Sequence, residues 1–318
     1  MDKSYREASL QPLESTRSES FIMRDNGDNP IINSPSGSAL SKIAYISSYI
    51  LAVACLAIVI HWINMEKVGG GGLSWTYGES GKIFNWHPLL MITSFVFMTI
   101  SSIIFRFPMF QKQQDNISME ELSSRRRIFK GIHVVSWVIA FITGGVGTYA
   151  VVRSHNDPVS GYVANLYSFH SWIGCAVLGL FVLQFNIGIF FLGIGNISII
   201  QRMLEHMSIL SGWNRLKKMV VFYHKKIGVY IYYLFALAIL LGILEKETFM
   251  GCSYKVEEAD LKPYAHWSEI PTACKVSHTL GIMVVCLTFS TGYLLRESSH
   301  FNRQTLSNIN TEEYSPVV

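Results

Sequence analysis

The chain has 318 residues, of which 50% are hydrophobic and only 15% charged. That charge content is low for a soluble protein. The net charge of +4 is too small to call for a nucleic-acid partner, and none is expected.

In chain order, residues 1–41 hold many Ser, Asp, Asn and Glu and little that is apolar, and read as a disordered tail. Six apolar runs follow, at roughly 43–65, 84–105, 131–152, 166–193, 219–244 and 276–296. Each is long enough, at about 20 residues, to span a bilayer as a helix. The first run comes too late and is too long for a signal peptide. No connecting loop exceeds about 35 residues, too few for an independent catalytic domain. The expected fold is therefore an all-α membrane protein: a six-helix domain over 42–298, followed by a second tail over 299–318.

Orientation follows from Lys and Arg in the loops. The second loop carries Arg106, Lys112, Arg125, Arg126, Arg127 and Lys130, and the fourth carries Arg202, Arg215, Lys217 and Lys218. The first loop has only Lys67 and Lys82, the third only Arg153, and the lysines of the fifth are offset by acidic residues. Even-numbered loops and both termini are therefore expected in the cytosol. The sequons at Asn116 and Asn196 then face the cytosol and stay unglycosylated. This bias accounts for the positive net charge.

The histidines fall into two levels on this topology. His87, in "FNWHPLLM", lies about one turn inside the outer end of the second helix. His170, in "NLYSFHSW", lies at a similar depth in the fourth. His133, in "FKGIHVV", and His224, in "VFYHKKIG", lie near the inner ends of the third and fifth helices. An imidazole in hydrocarbon is costly and needs a partner. Neutral imidazoles on facing helices suit axial ligation of haem iron, one from each side. Two such pairs, each about one turn inside a slab about 30 Å thick, would set two irons roughly 20 Å apart along the membrane normal. Helices 2–5 then form a four-helix haem-binding core. Gly144, Gly145, Gly147, Gly174 and Gly179 would let those helices approach closely. The competing reading is a six-helix transporter that uses non-haem histidines as a proton relay.

"GGGLSW", "FNWHPLLM", "IIFRFP", "KGIH", "ANLYSFHSWIG" and "ILEK" occur here in an order that resembles the cytochrome b561 family, the ascorbate-dependent transmembrane reductases. The resemblance covers about residues 43–298, the whole six-helix region expected on length grounds. It implies two non-covalent haem b groups, pairing His87 with His170 and His133 with His224; the chain has no CxxCH motif for covalent attachment. It further implies electron transfer from cytosolic ascorbate to an acceptor on the far side, either an Fe(III) chelate or the ascorbyl radical. Arg106, Arg126 and Lys130 match basic positions of a cytosolic ascorbate site. Lys217 stands where several members have Arg, and a point charge replaces a planar fork. His155, Asn165, Tyr167 and His278 are candidates for the outer acceptor site; His278 stands where members usually have Asn. Such a protein would sit in the plasma membrane or in an endolysosomal or secretory-vesicle membrane, and a homodimer is compatible with it.

Cys55, Cys175 and Cys286 lie within predicted helices and read as packing residues. Cys252 and Cys274 bracket the fifth loop on the oxidising side. A disulfide between them would fix that loop over the outer haem; two free thiols are the alternative.

Overall fold

A computed structural model describes residues 39–105, 119–193, 210–257 and 260–312, all within one compact unit. Six helices dominate: α1 (Ala39–Ile63), α2 (Ser80–Ile103), α3 (Met119–His155), α4 (Phe169–Ile187), α5 (Leu210–Phe249) and α6 (Thr272–Glu312). Each contains a segment long and apolar enough to cross a membrane, and the chain is a multi-pass membrane protein. α4 continues into a π-helical turn, Gly188–Gly193. Arg106, Asn116, Asn196, residues 1–38 and residues 313–318 lie outside the described residues, as does the fourth loop over 194–209.

Hydropathy marks the part of a helix that fits a bilayer, not the helix itself. α3 accordingly starts at Met119, before its apolar run, and α5 spans Leu210–Phe249. α6 continues to Glu312 into the region expected as a tail.

α2 packs closely along α3, α4 along α5, and α1 along α6, whereas the α3 and α4 backbones stand further apart and meet through stacked rings, Trp137 on Phe181 at 4.9 Å and Phe141 on Phe185 at 4.5 Å. Lipid is as apolar as leucine, so this packing stabilises through dense contact and hydrogen bonds rather than by removal from water. Small residues set the α2–α3 approach. A Cβ on Gly147 would lie 3.1 Å from Leu90 Cβ, and one on Gly144 3.4 Å from Ser94 Oγ. Ser94 Oγ donates to Ala140 O at 2.8 Å in the same seam. Gly145, Gly174 and Gly179 face open space instead. Trp62 ties α1 to α6, its Nε1 donating to Ala273 O at 3.0 Å. Cys55 is buried here, but Cys175 and Cys286 are exposed on the helix surfaces rather than packed inside.

The two ends of the bundle differ in chemistry. At the hairpin end, the α1–α2 loop runs through Gly69–Gly72, all at positive φ. Gly69 and Gly81 meet backbone to backbone: a Cβ on Gly69 would lie 2.5 Å from Gly81 O. Buried Asn85 gathers this loop by donating to Ile63 O, Val68 O and Gly72 O. Two short antiparallel hairpins complete this end, β1 (Asn156–Asp157) with β2 (Gly161–Tyr162), and β3 (Tyr254–Glu257) with β4 (Asp260–Pro263). Cys252 and Cys274 are joined in a disulfide that ties the end of α5 to the start of α6. The opposite, basic end carries Arg125, Arg127 and Lys130 of α3 with Arg215, Lys217 and Lys218 of α5.

Candidate functional site

His87 enters on α2 just before Pro88, whose missing amide leaves the Phe84 carbonyl without its helical donor. His170 enters on the first turn of α4, held by a capping box between Ser168 and Ser171. The two rings come together at the hairpin end, with centroids 6.1 Å apart and planes 76° apart. At the basic end His133 of α3 and His224 of α5 meet in the same way, at 6.4 Å and 67°.

Hydrogen bonds orient the rings. His87 Nδ1 lies 3.0 Å from Gly147 O, and His170 Nδ1 2.9 Å from Ala238 O. His133 Nδ1 lies 3.0 Å from Ser101 O and 2.7 Å from Ser101 Oγ. A carbonyl can only accept, so Nδ1 of these three rings carries the proton and Nε2 presents its lone pair. That is the arrangement of a metal-ligating histidine with its supporting partner. His224 differs: its Nδ1 is buried without a hydrogen-bond partner. Its ring lies against Gly188 at the start of the π-helical turn, and its backbone carbonyl accepts from Gln184 Nε2 at 2.6 Å.

The donor set fits a haem iron. Two imidazoles bonded across one metal at about 2 Å per bond place their ring centroids about 6 Å apart. Among the described residues, no group of three or more His, Cys, Asp or Glu side chains converges on one point. A lone pair of imidazoles is too few for a structural zinc site, but it is what haem iron takes axially when the macrocycle supplies the rest.

Around the hairpin-end pair, the rings of His155 and Tyr167 lie 6.2 Å apart. His155 Nδ1 is buried and has no hydrogen-bond partner. Desolvation and the neighbouring Glu245 carboxylate push the Tyr167 phenol well above its ordinary pKa. Ser168 Oγ also donates to Glu245, at 2.9 Å. Asn165 is exposed on the same loop. His278 belongs to a separate cluster: its Nε2 lies 3.4 Å from Glu247 Oε2, its ring stacks on Trp267, and Ser277 donates to Glu247 at 2.6 Å.

At the basic end Lys130 is exposed and lies within electrostatic range of Lys217. Arg126 lies on the α3 backbone four residues before Lys130, with its side chain outside the described residues.

Several supporting residues are silent in the sequence. Gly147 and Ala238 act through backbone carbonyls that any residue possesses, and Ser101 through its carbonyl and its hydroxyl together. Gly242 matters because a Cβ there would lie 2.8 Å from His170 Cε1. Phe84, whose ring lies 5.8 Å from that of His87, and Lys246, whose Nζ lies 4.6 Å from the Phe84 centroid, stand over the hairpin-end pair.

A multi-pass helical membrane protein with one imidazole pair near each end of its bundle has the donors that a membrane b-type cytochrome needs. Residues 86–250, just over half of the chain, match the eukaryotic cytochrome b561 family, and the chain belongs to that family. Membership implies haem b binding. The chain is 29% identical over 205 residues to the transmembrane ascorbate ferrireductase 1 of Arabidopsis thaliana, covering 64% of this chain and 71% of that protein. It is 31% identical over 211 residues to the ascorbate-specific transmembrane electron transporter 2 of Zea mays, covering 65% and 74%. Identity to a lysosomal membrane ascorbate-dependent ferrireductase of Danio rerio is 32% over 147 residues, covering 46% of this chain and 52% of that protein.

Proposed function

We propose that this chain is an ascorbate-dependent transmembrane oxidoreductase that accepts electrons from cytosolic ascorbate at its basic end and delivers them to a ferric chelate at its hairpin end. The observation that carries this reading is the pair of facing imidazoles near each end of the bundle. His87 and His170 would hold one haem b, and His133 and His224 the second. Each haem, when bound, supplies a one-electron redox couple in a medium that excludes free ions.

The chain's own residues do the rest. The Nδ1 bonds to Gly147, Ala238 and Ser101 fix the tautomer of three ligands before any metal arrives. Positive-inside topology puts Arg125, Arg127, Lys130, Lys217 and Lys218 in the cytosol. Ascorbate is a monoanion near neutral pH, and Lys130 with Lys217 offers it positive charge beside the His133–His224 pair. The disulfide then lies on the oxidising side, where such bonds persist. The ferric acceptor is carried over from the names of the relatives. A proton relay is the weaker reading. Its imidazoles must exchange protons through titratable neighbours, whereas three Nδ1 donors here end on backbone carbonyls.

The test uses purified protein in vesicles oriented with the basic end inward and loaded with ascorbate. An impermeant ferric chelate outside should be reduced only when the protein is present. Folded protein without a haem absorption band, or iron reduction that does not depend on trapped ascorbate, would reject the proposal.

A further inference from the structure

Lys246 is a half-buried cation at the hairpin end with no hydrogen-bond or ion-pair partner among the described residues. The neighbouring charges are already engaged. Arg153 donates to Trp75 O at 2.8 Å and stacks on Tyr77. Lys82 pairs with Glu79 at 2.7 Å. Lys275 donates to Ser268 O at 3.3 Å. Glu245, next to Lys246 in sequence, is taken by Tyr167 and Ser168. A half-buried ammonium that keeps only a ring face is incompletely solvated and favours an anion.

The position of Lys246 says where that anion would sit. Lys246 lies one helical turn beyond Gly242, the residue on which the His170 ring rests, and so on the same face of α5. Its ammonium reaches the Phe84 ring of α2, which packs beside His87. Lys246 therefore bridges α5 and α2 through Phe84, which packs on His87, one turn along α5 from the glycine that packs on His170. Resting on an aromatic face leaves the N–H donors that point away from the ring free to bind a ligand.

We propose that Lys246 is the anion anchor of the hairpin-end site, binding a carboxylate presented beside His87 and His170. This rests on the electron-transfer reading above. A carboxylate can come from two sources there, a soluble ferric carboxylate chelate or a propionate of the bound haem. Lysine serves as a mobile point charge for either.

The experiment compares full-length wild type with Lys246→Met, which keeps the aliphatic stem, and Lys246→Arg, which keeps the charge. Haem content, the midpoint potentials of both haems, and KM for ferric citrate and for cationic hexaammineruthenium(III) are measured. With a soluble anion as ligand, Lys246→Met raises KM for ferric citrate roughly ten- to hundredfold, does not raise KM for the ruthenium acceptor, and is rescued by Lys246→Arg. With propionate as ligand, Lys246→Met shifts the potential of one haem and changes both acceptors alike. Wild type gives a reading that needs no variant: free citrate should compete with ferric citrate but not with the ruthenium acceptor when the anion is soluble. Unchanged potentials together with unchanged KM values in Lys246→Met would overturn the proposal. So would a wild type insensitive to citrate whose Lys246→Met potentials are unmoved. Wild type that binds no haem defeats the electron-transfer reading instead.

Discussion

Gly242 of α5 presents its bare Cα to the imidazole of His170, so closely that a Cβ there would lie 2.8 Å from Cε1 and 3.2 Å from both ring nitrogens. The ring can neither move back into the helix nor rotate freely, since Ala238 O, one turn earlier, fixes its Nδ1. Gly242→Ala must displace either α5 or the ring, an overpacking cost of about 1–3 kcal/mol. The expected outcome is selective loss of the haem at the hairpin end, read as haem per chain by pyridine haemochrome. Gly188→Ala is the milder control, because its Cβ would lie 3.3 Å from His224 Cε1. Full haem content in Gly242→Ala protein would show that the His170 ring is not confined as described.

Asp157 joins two loops of the hairpin end and sets a pH limit for them. It accepts from Gly78 N at 2.8 Å, from Val159 N at 2.9 Å, and from Ser160 Oγ at 2.9 Å. Desolvation raises its pKa, but the amide and hydroxyl donors outweigh that and hold the carboxyl below the ordinary range. A depressed folded-state pKa means that this stabilisation is fully present above the unfolded value, about 4. It is lost as pH falls through the lower folded value. Protection factors for the amides of 156–163, corrected for the intrinsic pH dependence of exchange, should therefore be the same at neutral and mildly acidic pH and fall only in strong acid. Asp157→Ala should remove that protection at neutral pH. A loop that loosens on mild acidification would contradict the assignment.

Lys130→Ala tests the donor end. Losing one charge-assisted contact costs about 1.5–3 kcal/mol, equivalent to roughly tenfold to hundredfold weaker ascorbate binding. Stopped-flow reduction should slow at low ascorbate, with haem content intact and with little effect on reduction by an uncharged reductant. Lys217→Ala should act in the same direction but less. Unchanged rates and saturation in both variants would leave the basic residues as a topology signal alone.

The disulfide should stabilise the loop it closes. Cys252 and Cys274 are 22 residues apart in sequence, and closing a loop of that length constrains the unfolded chain by about 3 kcal/mol. Cys252→Ser with Cys274→Ser should make the segment between Met250 and Thr272 markedly more sensitive to protease, while the haem spectrum persists. Equal protease resistance in the double variant would mean that the β3–β4 hairpin holds the loop by itself.

The sequence carries some of these features and not others, for physical reasons. Membrane spans are legible because a bilayer demands about 20 apolar residues wherever it is crossed. Histidine depth is legible because helical rise converts position into height. The helical extensions of α3 and α6 are not, because hydropathy is silent outside the bilayer. The partners of the ring nitrogens are hidden for a different reason: Gly147 and Ala238 contribute only carbonyls, which carry no residue signature, and Ser101 adds a hydroxyl that is one of many in these helices. Gly242 sits in "ILLGILEK" as one more small residue of an apolar helix, and only its contact with His170 gives it a role. The contact between Lys246 and Phe84 joins α5 to α2, a long-range juxtaposition that no local pattern specifies.

The central claim is that His87 works with His170 and His133 with His224, and paired removal tests it most directly. Haem per chain is measured in two double variants of purified, folded protein. His87→Ala with His170→Ala strips one pair and should leave about one haem, still reducible by ascorbate through the intact basic end. His87→Ala with His133→Ala strips one ligand from each pair and should leave close to none, with no reducible absorption band. Equal haem content in the two double variants would contradict the pairing, and with it the two-haem path across the membrane.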